Sequence, residues 1–196
     1  MDPAFQHLRR SDYVSMPWKN GAGTTLEIAR DPPSPAEFRW RLSLASVSAS
    51  GAFSSYPGFH RSVSLIDGAG FRLDVQGRAA IQLVEAGASA LFPGDAATHC
   101  ELIGDPSTDL SLMVREPGGI SSVTIEPCDI LRSFNASPRS LQAFFCLDEG
   151  LAFALEDVIV PLARHDTILL LTDSARCDFS TFRAGARLLW LVWRPG

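Results

Sequence analysis

Apolar runs in this chain are short, and glycine or proline interrupts nearly all of them. Fifteen glycines and thirteen prolines are spread over 196 residues. No segment keeps a helical apolar period over three turns. Proline removes a backbone donor and glycine favours turns, so brief strands joined tightly are what such a chain can build. The spacing predicts strands at 24–30, 38–48, 62–67, 70–75, 80–85, 89–92, 99–103, 109–115, 120–126, 141–147, 151–155, 157–162, 166–171, 175–179 and 186–193. Several alternate with period two. Phe38, Trp40, Leu42 and Leu44 fall on one face of their strand, and Arg39, Arg41, Ser43 and Ala45 on the other. Gly68-Ala69-Gly70 reads as a tight turn, and Asp31-Pro32-Pro33-Ser34-Pro35 as a loop. Short strands at regular spacing with turn signals between them point to an all-β sandwich or barrel.

The chain also matches itself faintly. At an offset of 78 residues Leu73 meets Leu151, Ile81 meets Ile159, Leu91 meets Leu169, Asp95 meets Asp173, Leu110 meets Leu188 and Val114 meets Val192. That suits two similar β units joined near Gly118-Gly119.

Composition narrows the partners. The net charge is −5, acids and bases are interspersed, and Lys19 is the sole lysine. Nucleic acid and anionic membrane are poor partners for such a surface. The longest apolar stretches, 168–171 and 188–193, are too short to span a bilayer. The N-terminal residues lack a basic start followed by an apolar run, so no secretory signal is read and the expected location is the cytoplasm. Cys100, Cys128, Cys146 and Cys177 form no CxxC pair and have apolar flanks. They read as buried free thiols.

The usual catalytic signatures are missing. His7, His60, His99 and His165 stand alone, with no His-x-His pair and no HExxH, so the site is read as metal-free and no cofactor is expected. There is no GxSxG elbow. His99 and Cys100 are strand neighbours and point to opposite faces, which is poor geometry for a thiolate pair. Gly21-Ala22-Gly23-Thr24-Thr25 lacks the GK[ST] ending of a phosphate loop and reads as a turn into a strand.

The arginines carry more. Arg41 lies mid-strand, Arg61 follows the turn at Pro57-Gly58, and Arg115 ends the alternating run from Asp109. An inward-facing guanidinium in a β enclosure is costly unless a counter-charge or ligand meets it, and its planar fork suits a carboxylate. Arg41 is read equally as a ligand group and as half of a scaffold ion pair with Glu27 or Asp109. Arg61 is read as a ligand group. Trp18, between a proline and Lys19-Asn20, reads as a site rim. Trp40 reads as core, and Trp190 and Trp193 as packing in the last strand.

These residues fall into four blocks. They are Trp18-Lys19-Asn20 with Gly23-Thr24-Thr25-x-Glu27-Ile28; Trp40-Arg41-x-Ser43-x-Ala45-Ser46; Gly51-x-Phe53-Ser54-x-Tyr56-Pro57-Gly58-x-x-Arg61; and Asp109-x-x-x-Met113-x-Arg115. In this order, over about 16–116, they resemble the HutD/Ves family of cupin-like proteins. Two positions depart from the family pattern: Ala22 at a glycine position and Ser111 where asparagine is frequent. The resemblance implies a cupin-like jelly-roll fold with two barrel-like halves, a bicupin. Its N-terminal barrel, 1–118, would hold the pocket, and a smaller C-terminal half, 119–196, would pack with it as one unit. It also implies bacterial histidine utilisation or stress response and a metal-free polar pocket. The site residues carried over are Trp18, Asn20, Glu27, Arg41, Ser46, Phe53, Arg61, Met113 and Arg115.

Three functions follow as expectations. The first is a non-enzymatic protein that binds a small anionic metabolite, with urocanate and formylglutamate as candidates, and that regulates histidine utilisation. Arg61 would grip a carboxylate, Asn20 and Ser46 would donate hydrogen bonds, and Trp18 and Phe53 would form walls. The second is a metal-independent isomerase or hydrolase with Glu27 as general base. The third is an interaction module with a vestigial pocket. Self-association as a homodimer is left open.

Overall fold

The computed structural model describes residues 4–18, 23–32, 37–128, 131–135, 140–171 and 176–195. The strands are β1 (Phe5–Leu8), β2 (Val14–Pro17), β3 (Gly23–Asp31), β4 (Trp40–Val47), β5 (Gly51–Ala52), β6 (Phe59–Asp67), β7 (Phe71–Val75), β8 (Ile81–Leu83), β9 (Ser89–Pro93), β10 (Thr98–Leu102), β11 (Ser107–Arg115), β12 (Gly118–Cys128), β13 (Leu131–Asn135), β14 (Leu141–Cys146), β15 (Leu151–Leu155), β16 (Val158–Leu162), β17 (Thr167–Leu170), β18 (Arg176–Thr181) and β19 (Ala186–Pro195). One 3-10 turn, Arg10–Asp12, is the only helical piece among the described residues. The all-β reading therefore holds.

Contacts divide the chain into two compact units, Tyr13–Gly119 and Met1–Asp12 with Ile120–Pro195. The expected division ran 1–118 and 119–196. The opening residues join the second unit because β1 pairs antiparallel with β17, Phe5 opposite Leu170 and Leu8 opposite Thr167.

In the first unit a six-stranded sheet, ordered β2-β3-β4-β11-β6-β9, accompanies a four-stranded sheet, β5-β10-β7-β8. The second unit holds β1-β17-β14-β19-β12 and β13-β18-β15-β16. Adding eight to each strand number turns β5-β10-β7-β8 into β13-β18-β15-β16, and β4-β11-β6-β9 into β12-β19-β14-β17. The faint offset in sequence thus corresponds to a repeated sheet order, while β2, β3 and β1 are additions at sheet edges.

Four strands escape the sequence pattern. β1, β2 and β5 are two to four residues long, too short to show alternation. β13 exposes all but Phe134. Elsewhere alternation places the core. In the first unit Val47, Val63, Leu65, Phe71, Leu73, Val75, Leu83 and Phe92 pack together, all at most 3% exposed. Each such side chain contributes about 1.5–3 kcal/mol when fully buried. The opposite face of β4 and β11 is buried too: Leu42, Leu44, Leu110, Leu112 and Val114 are 0–1% exposed and Trp40 8%.

The two interiors differ in chemistry. In the first, Arg61, Asp109 and Ser111 occupy the inward rows of β6 and β11. In the second, the corresponding strands β14 and β19 carry Phe144, Leu188 and Trp190. Phe134, Phe144, Phe179 and Trp190 meet ring to ring there at 4.8–6.1 Å. One unit keeps a polar cavity and the other a packed aromatic core.

Candidate functional site

A cavity of about 580 Å³ opens inside the first unit. That volume suits a small metabolite. Its walls come from β2 and β3 (Met16, Thr25) with Trp18, β4 (Arg41, Ser43, Ala45, Val47), the 49–56 segment (Phe53, Ser54, Tyr56), and Arg61, Cys100, Asp109 and Ser111.

Trp18 is held by backbone geometry. Its N–H donates to the Gly23 carbonyl at 2.9 Å, and its indole Nε1 donates to Thr25 Oγ1 at 2.8 Å. A Cβ on Gly23 would lie 2.3 Å from the Ser46 carbonyl oxygen and 2.9 Å from the indole ring. Glycine is required there so that the ring can lie over β3.

The arginines converge through strand register. Met113 of β11 pairs with Arg41 of β4 on one side and with Arg61 of β6 on the other. Neighbouring strands are about 4.8 Å apart, so the two arginine backbones stand roughly 10 Å apart across the central strand. The Arg41 guanidinium lies 5.2 Å from the Phe38 ring and 5.6 Å from Tyr56. That of Arg61 lies 4.8 Å from Phe53, 5.9 Å from Tyr56 and 5.7 Å from Phe92. Aromatic faces hold the cations through their quadrupoles and leave the N–H edges unspent. One edge of Arg61 donates weakly to the Ser54 carbonyl at 3.4 Å. Nε of Arg41, Nε of Arg61 and Oγ of Ser111 are shut off from solvent and have no hydrogen-bond partner among the described residues. A buried donor left so costs about 1–3 kcal/mol.

Asp109, 2% exposed, sits on the inward row with Ser111 and Met113. Burial pushes its carboxyl up to about 7, while the positive charge of Arg61 acts in the opposite direction. Burial likewise lowers the Arg61 pKa, opposed by Asp109 and Tyr56 and reinforced by Arg41. No direct ion pair closes between Arg61 and Asp109. Asp109 lies four residues along β11 from Met113, the register partner of Arg61, about 13 Å of strand. Ser111, between Asp109 and Met113 on β11, lines the cavity with Asp109 and Arg61. Burial, with Asp109 adding to it, raises the Cys100 thiol to about 12. It is a protonated wall group rather than a nucleophile.

Trp18, Arg41, Phe53 and Arg61, expected from sequence, all line the cavity. Met113 does not reach its wall; it is 1% exposed between the two arginines' strands. Ser46 falls on the other side of β4 and is exposed. Glu27 does not face the cavity either. A bulge beside it in the β3–β4 pairing brings Arg30 alongside, and Arg30 Nε donates to its carboxylate at 2.6 Å, with a second contact through Nη2. Of the two scaffold partners weighed for Arg41, Glu27 is taken by Arg30. Arg115 is exposed at the end of β11, over Phe59 at 4.7 Å, and donates to the Phe38 carbonyl at 3.3 Å. Asn20 lies outside the described residues.

Sequence reading did not assign Asp109, Tyr56, Ser43 or Cys100 to the site. Asp109 had a signal, its alternation with Leu110, but alternation alone does not say which row faces inward. The carboxyl entered only as a scaffold partner for Arg41. All four cysteines are buried and outside any disulfide, as expected.

A metal does not fit this cavity. Its charge comes from two guanidinium groups and one carboxyl, and no cluster of three or more His, Cys, Asp or Glu occurs among the described residues. His60 faces Glu116 at 3.0 Å, and His99 is exposed. The donor set is that of an anion site.

The family model described as HutD matches residues 10–189. This chain belongs to the HutD family. The HutD-family protein is 41% identical over 109 residues to an uncharacterized 21.2 kDa protein in the hutC 3' region of Pseudomonas putida, covering 55% of this chain and 57% of that protein. It is 36% identical over 99 residues to protein Ves of Citrobacter koseri, covering 50% and 51%. The chain thus spans about half the length of the curated relatives it matches. The structure of HutD from Pseudomonas fluorescens SBW25 (formate condition) superposes with a TM-score of 0.77 at 29% identity, over 98% of this chain and 100% of that one. For the fold alone, bacterial pirin YhhW from Escherichia coli gives a TM-score of 0.67 at 8% identity, over 97% of this chain and 99% of that one. The HutD-family fold here is an antiparallel, cupin-like jelly roll. Among its described residues no helix is long and apolar enough to cross a membrane.

Proposed function

We propose that this HutD-family protein is a cytoplasmic receptor for a small carboxylate metabolite. Binding would report the level of a histidine-utilisation intermediate, with urocanate and formylglutamate as the candidates, and so regulate that pathway. One observation carries this reading. Two arginines face a single cavity with buried Nε–H donors that no described protein group accepts. A carboxylate in the cavity offers acceptors to the guanidinium edges that line it and offsets one of the two positive charges. Trp18 and Phe53 give flat walls for a planar ligand, and Ser43 and Ser111 give neutral donors. The place of one relative beside hutC and the name HutD support the pathway. The repeated sheet order supports a bicupin, with the ligand cavity in its first half. Titration calorimetry with urocanate and formylglutamate tests the reading. Saturable binding that Arg61→Ala abolishes is expected; no heat with either compound would set the pathway aside.

A second reading rests on Asp109. A carboxyl near neutrality inside a cavity is suited to general acid–base work, and it is better placed for this than Glu27. Turnover of either compound, lost in Asp109→Asn, would favour an isomerase or hydrolase.

A further inference from the structure

We propose that the cavity takes up a proton at Asp109 when a carboxylate binds, so that the protein binds small carboxylic acids with proton coupling and releases them as the pH rises. The inference rests on the cavity being a carboxylate site and adds the role of the one acidic group inside it.

The geometry has three parts. Asp109 and Arg61 line one cavity, yet they close no ion pair, and Ser111, which stands between Asp109 and Met113 on β11, lines the same cavity. A carboxylate on Arg61 therefore enters the space that Asp109 faces. The charged and titratable groups around Asp109 are Arg61 on β6, Arg41 on β4, Tyr56 on the preceding loop and Cys100 on β10. Cys100 stays protonated. Two cations thus serve two anions when both Asp109 and the ligand are ionised, and one carboxylate has to sit 2% exposed without a direct partner.

The sign follows from electrostatics. In the ligand-free protein Arg61 opposes the effect of burial on Asp109, and burial outweighs it, leaving the carboxyl near 7. An arriving anion neutralises Arg61 and repels the Asp109 carboxylate. Both effects move the carboxyl further up. Below about 7 Asp109 already holds its proton and affinity is at its maximum. Above that, binding must draw one proton from solvent, and the affinity falls by up to about tenfold per pH unit.

The arrangement also selects. A ligand with a second carboxylate directed along β11 toward Asp109 meets a group that cannot accept it without being protonated. A ligand with a hydroxyl, amide or ring N–H at that end meets an acceptor.

The test uses the full-length protein with urocanate and formate as probes. Affinity is measured by calorimetry at pH 6.0, 7.0, 8.0 and 8.5, and at pH 8.0 in phosphate and Tris, whose ionisation heats differ. Wild type is expected to lose about tenfold or more in affinity between pH 7.0 and 8.5 and to show a buffer-dependent heat equal to about one proton taken up. Asp109→Asn, close in shape, is expected to bind with a flat profile and no buffer dependence. Binding with the same pH slope in wild type and Asp109→Asn overturns the proton coupling and leaves the carboxylate site standing. No binding of either probe at any pH overturns both. Should Asp109→Asn fail to fold, the buffer comparison on wild type decides alone: equal heats in both buffers refute the uptake.

Discussion

Arg41 and Arg61 are the two register partners of one residue, Met113, and their guanidinium groups approach the same Tyr56 ring at 5.6 and 5.9 Å. Like charges brought this close repel, and an aromatic face between them is one of the few uncharged groups that attracts both. Replacing the ring removes two cation–π contacts at about 0.5–2 kcal/mol each. Tyr56→Leu is expected to lower unfolding stability by about 1–3 kcal/mol in ligand-free protein and to recover part of that loss when a saturating carboxylate is added. Denaturant melts with and without urocanate measure both. Unchanged stability would mean that the ring does not hold the pair.

Gly23 sets the Trp18 wall. A methyl group there has to displace the Ser46 carbonyl, a backbone atom of the neighbouring strand, as well as the indole. Overpacking of this kind costs typically 1–3 kcal/mol. Gly23→Ala is expected to lose stability in that range and to alter Trp18 fluorescence, read in a background in which the other tryptophans are replaced by phenylalanine. A variant as stable as wild type with unaltered emission would show that the close approach is absent.

Asp109 makes stability depend on pH in a direction opposite to that of a salt-bridged carboxylate. Its folded pKa, about 7, lies above the unfolded value of about 3.9. The folded state holds the proton more tightly, so this contribution is fully present below about pH 4 and is lost as the pH rises through 7. The difference is on the order of 4 kcal/mol. Unfolding free energies at pH 4.5 and 7.5, in wild type and in Asp109→Asn, isolate it from other groups. Those include Asp148, which Arg187 holds below the usual carboxylate range through a 2.8 Å contact. Wild type is expected to weaken relative to the variant over that interval. Parallel curves would contradict a buried acid.

The thiols should be inert. Cys100, Cys128, Cys146 and Cys177 are each 0% exposed, and burial raises the thiols of Cys100 and Cys177 to about 12. A thiol-specific chromogenic reagent at pH 8 is expected to modify none of the four within minutes in native protein and all four in guanidinium. Rapid native reaction of one thiol would locate an opening in its unit.

The strand pattern made the fold legible because alternation and turns are local. Phe71–Val75 and Ser107–Arg115 can be read without knowing their partners. Whether a strand hides one face or both depends on its neighbours. In β11 both rows are buried, Leu110 and Asp109 alike at 0–2% exposed, so alternation alone does not tell which row faces the cavity. That is why Asp109 was missed as a site group. Arg61 could be placed on the cavity wall because it stands near the start of the strand that directly follows the Pro57-Gly58 turn. Glu27 was misplaced because a bulge, invisible in sequence, sets it beside Arg30. The cavity was legible in its aromatic and cationic residues, whereas Met113, carried over as a site residue, lies off the wall between the strands of Arg41 and Arg61.

The most direct measurement is a crystal structure of the protein grown with urocanate. Its carboxylate is expected in the first unit, with an oxygen within hydrogen-bond distance of Arg61 and the ring between Trp18 and Phe53. A urocanate bound only at the outer surface, with Arg61 and Arg41 making the same contacts as without it, would contradict the assignment of this cavity as a carboxylate receptor.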